Sequence, residues 1–168
     1  MVENVLVAYA SKHGATAQIA ERIALRLTKN GIPAVAQDVR QIASLQGFGA
    51  VLLGSAVYAG AWLKEAAEFL KKYEAELAKI PVWFFSDGPT GIGDPQKMME
   101  GWDFPEDLKS ISERIQPRGL AFFHGAIDTT KLKFAEKLII SAVKVPVGDF
   151  RDWDMINSWA DSVSKALQ

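Results

Sequence analysis

Short apolar runs alternate with amphipathic segments along almost the whole chain, and few folds are compatible with that alternation. Val5–Tyr9, Ala34–Gln37, Ala50–Ser55, Val82–Phe85 and Arg118–Phe123 read as strands. The first and third are apolar enough to be buried on both faces, as central parallel strands are, while Pro33 puts the second near an edge. Between them the apolar residues fall at helical spacing. Ile19, Ala20, Ile23, Ala24 and Leu27 mark a helix over Thr16–Lys29 that stops at Asn30-Gly31. Leu63, Ala66, Ala67, Leu70 and Tyr73 mark a second. Pro105 opens a helix that runs to Ile115. A long helix is predicted over Thr129–Val145, and a last one over Trp153–Leu167. Strands separated by helices predict an α/β fold, a doubly wound five-stranded parallel sheet with helices on both faces, in one domain spanning residues 1–168.

Ligands of such sheets bind beyond the carboxyl ends of the strands. The first of those ends is the most informative stretch of the chain. Val5-Leu6-Val7-Ala8-Tyr9-Ala10 runs into Ser11-Lys12-His13-Gly14-Ala15-Thr16, and a helix begins there. Unpaired N–H groups and the positive end of a helix dipole hold anions at such a turn. Ser11 and Thr16 add hydroxyls, and Gly14 lets the backbone close around a phosphate. Ser11 and Thr16 would serve equally well as plain helix caps.

Composition bounds what that phosphate belongs to. The chain has 168 residues, 49% of them hydrophobic and 23% charged, which suits a packed core and excludes disorder. No apolar stretch reaches the length of a membrane span and the first residues lack a leader pattern, so a cytoplasmic location is expected. With no cysteine there is no disulfide, thiol nucleophile or thiolate cluster, and two histidines without ligand spacing give no metal site. A net charge of −1 gives no reason to expect nucleic acid as a partner. The Gly-Lys-Ser/Thr of nucleotide hydrolases, a Gly-x-Ser-x-Gly elbow and a dinucleotide fingerprint are all missing.

Two further strand-end loops complete the candidate site. Ser55-Ala56-Val57-Tyr58-Ala59-Gly60-Ala61-Trp62 combines small residues with two aromatics. Ser86-Asp87-Gly88-Pro89-Thr90-Gly91-Ile92-Gly93 holds three glycines. One phosphate loop and two loops of this kind suit a flat, hydrogen-bonding ring with a phosphate tail, and flavin mononucleotide (FMN) is that ligand. Tyr58 and Trp62 are candidates to stack on the ring, or alternatively to pack on the following helix. His13 and His124 are candidates for structural rather than chemical work, and Asp152 for a helix cap.

With the Ser11–Thr16 loop, the Gly54-Ser55 turn and its aromatics, and the strand pattern, the chain resembles flavodoxins. Phe123-His124-Gly125-Ala126-Ile127-Asp128 and Gly148-Asp149-Phe150-Arg151-Asp152-Trp153 resemble more closely the flavodoxin-domain group that includes menaquinone-dependent protoporphyrinogen oxidase. The resemblance implies strand order 2-1-3-4-5 and noncovalent FMN. It places the phosphate on Ser11, His13, Gly14, Ala15 and Thr16, and the ring between Ser55, Ala56, Val57, Tyr58, Ala59, Gly60 and Trp62 on one side and Ser86, Asp87 and Gly88 on the other. It also implies an oxidoreductase that delivers reducing equivalents to a quinone-type acceptor. The alternatives are an electron-transfer flavodoxin with protein partners, and a binding module without turnover. Carrier flavodoxins are strongly acidic, which steers them to basic partners, and a chain at −1 lacks that field.

The Thr129–Val145 segment is unusual. Lys133, Glu136, Lys137, Ser141 and Lys144 form a narrow polar stripe, and Leu132, Ala135, Leu138, Ile139, Ile140, Ala142 and Val143 cover most of the rest. That arc is wider than contact with one sheet requires. Deep packing, a homodimer contact and attachment to a membrane surface are the three readings it allows.

Overall fold

The computed structural model describes residues 2–168. Its strands are β1 (Val5–Ala10), β2 (Ala34–Asp38), β3 (Ala50–Tyr58), β4 (Ala61–Trp62), β5 (Val82–Asp87) and β6 (Gly119–Phe123), followed by β7 (Ala126–Ile127) and β8 (Gly148–Asp149). β2-β1-β3-β5-β6 form a parallel sheet in that order. Once the short β4 is set aside, this is the expected 2-1-3-4-5 order. The register pairs Val5 with both Ala34 and Ala50, Val51 with Val82, and Trp83 with Gly119.

The helices are α1 (Ala15–Lys29), α2 (Lys64–Lys72), α3 (Glu74–Leu77), α4 (Pro95–Met98), α5 (Lys109–Ile115), α6 (Phe134–Val143) and α7 (Trp153–Leu167). Alternate strand residues face opposite sides of the sheet, and each side has its own core. Leu6, Ala8, Val51, Leu53 and Phe84 pack with α2 and α5 through Phe69, Leu70 and Ile111. Val5, Val7, Leu52, Trp83 and Phe85 pack with α1 and α7 through Ile19, Ile23, Ile156 and Val163. At Gly54 a β-carbon would lie 2.1 Å from the Phe85 ring, so only glycine lets that ring cross β3. Arg26 donates to both oxygens of Asp161 at 2.7 and 2.8 Å, clamping α1 to α7. The guanidinium holds that carboxyl well below the usual carboxylate range.

Besides the short α4, β7 and β8, which the sequence pattern did not predict, three segments differ from the sequence expectation. β3 runs on through Ala56, Val57 and Tyr58 because Ala59-Gly60, both with positive φ, turns the chain back as β4. The helix over Pro105–Ile115 begins with a 3-10 turn at Glu106–Leu108 before α5. The long helix predicted over Thr129–Val145 is broken. The Asp128 carboxylate accepts the Thr130 N–H at 3.0 Å and closes a separate 3-10 turn at Thr129–Lys131. Glu136 then reaches back to the Lys133 N–H at 3.2 Å and starts α6 afresh. At the far end Lys144 is left-handed (φ 53°), and Pro146 bars Val145 from the helical region. Deep packing of this segment is overturned too: among the described residues of α6 none is buried, and Phe134 is 76% exposed. No helix of the described residues is long and apolar enough to cross a membrane.

Candidate functional site

A cavity of about 510 Å³ opens at the carboxyl ends of β1, β3 and β5. Its floor is the turn from β1 into α1. Gly14 stands at the helix N-cap with φ 96°, a conformation open to glycine at little cost. Among the described residues no side chain caps α1, and Ser11 Oγ instead accepts the Gly14 N–H at 3.0 Å. The first-turn N–H groups of α1 are thereby left for an anion.

Charged groups surround this turn. Glu136 of α6 accepts from His13 Nε2 at 2.9 Å and lies 3.1 Å from Lys12 Nζ. These contacts, that with His13 first, hold the Glu136 carboxyl down at about 2. The Lys12 ammonium also lies 5.3 Å from the centre of the Tyr58 ring. The Lys131 ammonium faces Gly14. The Arg151 guanidinium reaches the Ala15 carbonyl at 3.2 Å and Gln18 Oε1 at 2.6 Å.

Thr16 and Asp87 form the buried end of the site. The Thr16 hydroxyl donates to Asp87 Oδ1 at 2.7 Å, and Asp87 is only 2% exposed. Burial pushes the Asp87 carboxyl up to about 7, against the pull of the Thr16 hydrogen bond and of Arg151. The group is thus poised between neutral and charged near neutral pH. Tyr58 lies half-exposed at the rim, its phenol raised by burial and then by Asp87 and Glu136.

The structure brings most of the sequence candidates together. Ser11, His13, Ala15 and Thr16 line the cavity from one side, Ala56, Val57, Tyr58 and Ala59 from the second, and Asp87 and Gly88 from the third. Gly14 shapes the floor without lining it. Four candidates lie behind the wall instead. Trp62 is buried edge-on against Phe84 and Phe104 and donates to Ser86 Oγ at 2.8 Å, which occupies both residues. Ser55 accepts the Leu63 N–H and donates to the Ala56 carbonyl. The Gly60 carbonyl accepts from Trp102 Nε1. His124 spans the carbonyls of Pro89 and Gly93, tying down the loop that follows β5.

The sequence reading missed the fourth wall. Leu132, Glu136, Ile140 and Val143, with Ile127 and Asp128 from β7 and its turn, close the remaining side of the cavity, and Glu136 joins that side to the phosphate turn. No local signal places α6 there, because its anchor Glu136 meets His13 across 123 positions. Thr90 was also missed. It lines the cavity, is nearly buried, and its hydroxyl has no hydrogen-bond partner among the described residues. Because Thr90 lines the cavity, that hydroxyl is available to pair with a bound ligand or water there.

These features fit FMN. The volume lies within the range of small-molecule sites, roughly 300–1,000 Å³. The uncapped α1 turn, with Ser11 and Lys12, matches a phosphate, and the Val57–Tyr58 edge matches a flat ring.

A profile of the "Flavodoxin domain" family matches residues 6–154. No curated protein matches the chain by sequence. Among solved structures, the rubredoxin:oxygen oxidoreductase of Desulfovibrio gigas superposes with a TM-score of 0.63 at 13% identity, covering 98% of this chain and 36% of that one. The chain thus spans about a third of that protein's length. A short-chain flavodoxin associated with a PDU bacterial microcompartment gives 0.64 at 11% identity, covering 99% of both chains. A cysteine-to-serine mutant of the flavodoxin from Pseudomonas aeruginosa gives 0.61 at 14%, covering 98% of both. At these identities the likeness establishes the fold, and the profile establishes the family. The chain belongs to the flavodoxin domain family, and that membership implies FMN as the cofactor of this site.

Proposed function

We propose that the chain is an FMN-dependent oxidoreductase that passes reducing equivalents between a small substrate and a quinone-type acceptor. The observation that carries this reading is the pairing of an anion cradle with a largely apolar α6 wall in one cavity. Bound FMN supplies one- and two-electron transfer, and the chain supplies position and surroundings. Ser11, Lys12 and the first-turn N–H groups of α1 would hold the phosphate. Tyr58 would cover the ring and exclude water from one edge, Thr90 would offer its unpaired hydroxyl, and Asp87 can hold or release a proton at Oδ1 or Oδ2 near neutral pH. The wall of Leu132, Ile140 and Val143 favours an apolar acceptor over a charged one. Protoporphyrinogen is the donor that the resemblance of Phe123–Asp128 and Gly148–Trp153 favours.

The second reading is an electron-transfer flavodoxin acting with protein partners, supported by the overlap with flavodoxins along their full length. Aerobic purification, a flavin spectrum and two assays decide between them. A yellow protein that turns over protoporphyrinogen or another small donor with a quinone supports the first reading. A yellow protein reduced by a flavodoxin reductase but inert toward quinones supports the second. A colourless protein that takes up no FMN sinks both.

A further inference from the structure

α6 is apolar on both of its sides. Its inner side walls the cavity through Ile140 and Val143. On its outer side Phe134 and Leu138, one turn apart, are 76% and 55% exposed. A helix with this wide apolar arc and a narrow lysine stripe belongs either packed into a core or at a boundary between water and hydrocarbon. None of the described residues of α6 is buried, which removes the first option. The charge around it is equally one-sided. Residues 129–147 carry four lysines and one glutamate, a net +3 in a chain whose total is −1. That glutamate, Glu136, is turned inward onto Lys12 and His13. Lys131, Lys133, Lys137 and Lys144 are all exposed. The loop carrying Ile92, itself 97% exposed, adjoins this segment where Gly91 faces Pro146.

From this arrangement we infer that α6 docks the protein onto an anionic phospholipid surface. The helix lies in the headgroup plane, with Phe134 and Leu138 in the acyl boundary. The lysine stems run along the apolar face and set their ammonium groups at the lipid phosphates. A second copy of the chain is a poorer occupant. Face-to-face pairing would bring two lysine sets together with no outward carboxylate on α6 to neutralise them. The inference goes beyond the redox reading and does not depend on the cofactor, because the docking groups are on the outside of the cavity wall.

The test is co-sedimentation of the purified full chain with vesicles of phosphatidylcholine alone or mixed with phosphatidylglycerol. The expected result is pelleting with the mixed vesicles only, weakened by added salt. A Phe134→Ser, Leu138→Ser double variant changes two exposed positions, so its circular dichroism and melting stay those of the wild type. Its partitioning falls by roughly tenfold or more. Lys137→Gln and Lys144→Gln each weaken partitioning by about fivefold. In a Phe134→Trp variant, the emission of the new indole shifts to the blue on mixed vesicles and is quenched by brominated acyl chains. Wild-type protein that stays in the supernatant with both vesicle types overturns the inference. So does a double variant that partitions undiminished. Self-association that the double variant abolishes, without vesicle binding, overturns it as well and assigns the face to a second copy.

Discussion

Asp87 is the residue whose charge state the fold disturbs most usefully. Its carboxyl is pushed up to about 7 in the folded chain from an ordinary value of 3.8. Between those values the unfolded chain has lost the proton that the folded chain keeps. Stability therefore falls as pH rises from about 4 to about 7 and levels off above. Asp87→Asn keeps an acceptor for Thr16 and removes the slope. Its unfolding free energy from urea titration should exceed that of the wild type at pH 8 by up to about 4 kcal/mol, converging near pH 4. Parallel profiles for the two proteins would contradict the shift. Removing this charge from beside the cradle should also tighten FMN binding at pH 8, read by titration calorimetry. Asp87 was legible in the sequence as a residue of the loop after a strand. Its hydrogen bond to Thr16 was not, because the two meet across 71 positions and only the assembled sheet brings them together.

At the scale of elements, the central strands and α7 were the most legible, since burial on both faces or a strict helical stripe writes itself into the residue pattern. Ile156, with no exposure, sits at the heart of that stripe. Ile156→Ala should cost about 2–5 kcal/mol in chemical denaturation while leaving the FMN dissociation constant unchanged. Illegible elements were those fixed by single long-range contacts or by turns: β4, the two-residue β7 and β8, and the interruption at Leu132-Lys133. For α6 the decisive contact is Glu136 with His13 and Lys12. The Glu136 carboxyl is held at about 2 from an ordinary 4.5, so its stabilising contact is complete above about 4.5 and is lost as pH falls toward 2. Glu136→Gln should speed hydrogen exchange of α6 amides at neutral pH while sparing those of β1 and β3. The same change should strengthen phosphate binding, because Lys12 and His13 then lack a competing carboxylate. Unchanged exchange in α6 would show that the helix is held by its apolar wall alone.

At the scale of the whole molecule, the site joins parts from both halves of the chain, and a ligand bound there stabilises all of them at once. FMN at about a hundredfold its dissociation constant should add about 2.7 kcal/mol. For a chain of this size that raises the melting temperature by about 5–10 °C, and stripping the cofactor should reverse the rise. Calorimetric scans with and without FMN measure it, and coincident transitions would argue against binding in the folded state. The pairing of β7 with β8, Ala126 opposite Asp149 and Ile127 opposite Gly148, has its own consequence. Residues 128–147 leave the body and return to it at one two-rung seam, and between those ends Glu136 fastens them to Lys12 and His13. Such a module can be exchanged for another of different length or character without re-threading the sheet. The phosphate turn and the strand ends can thus stay constant in a lineage while the remaining wall of the berth, and the surface outside it, are rewritten together.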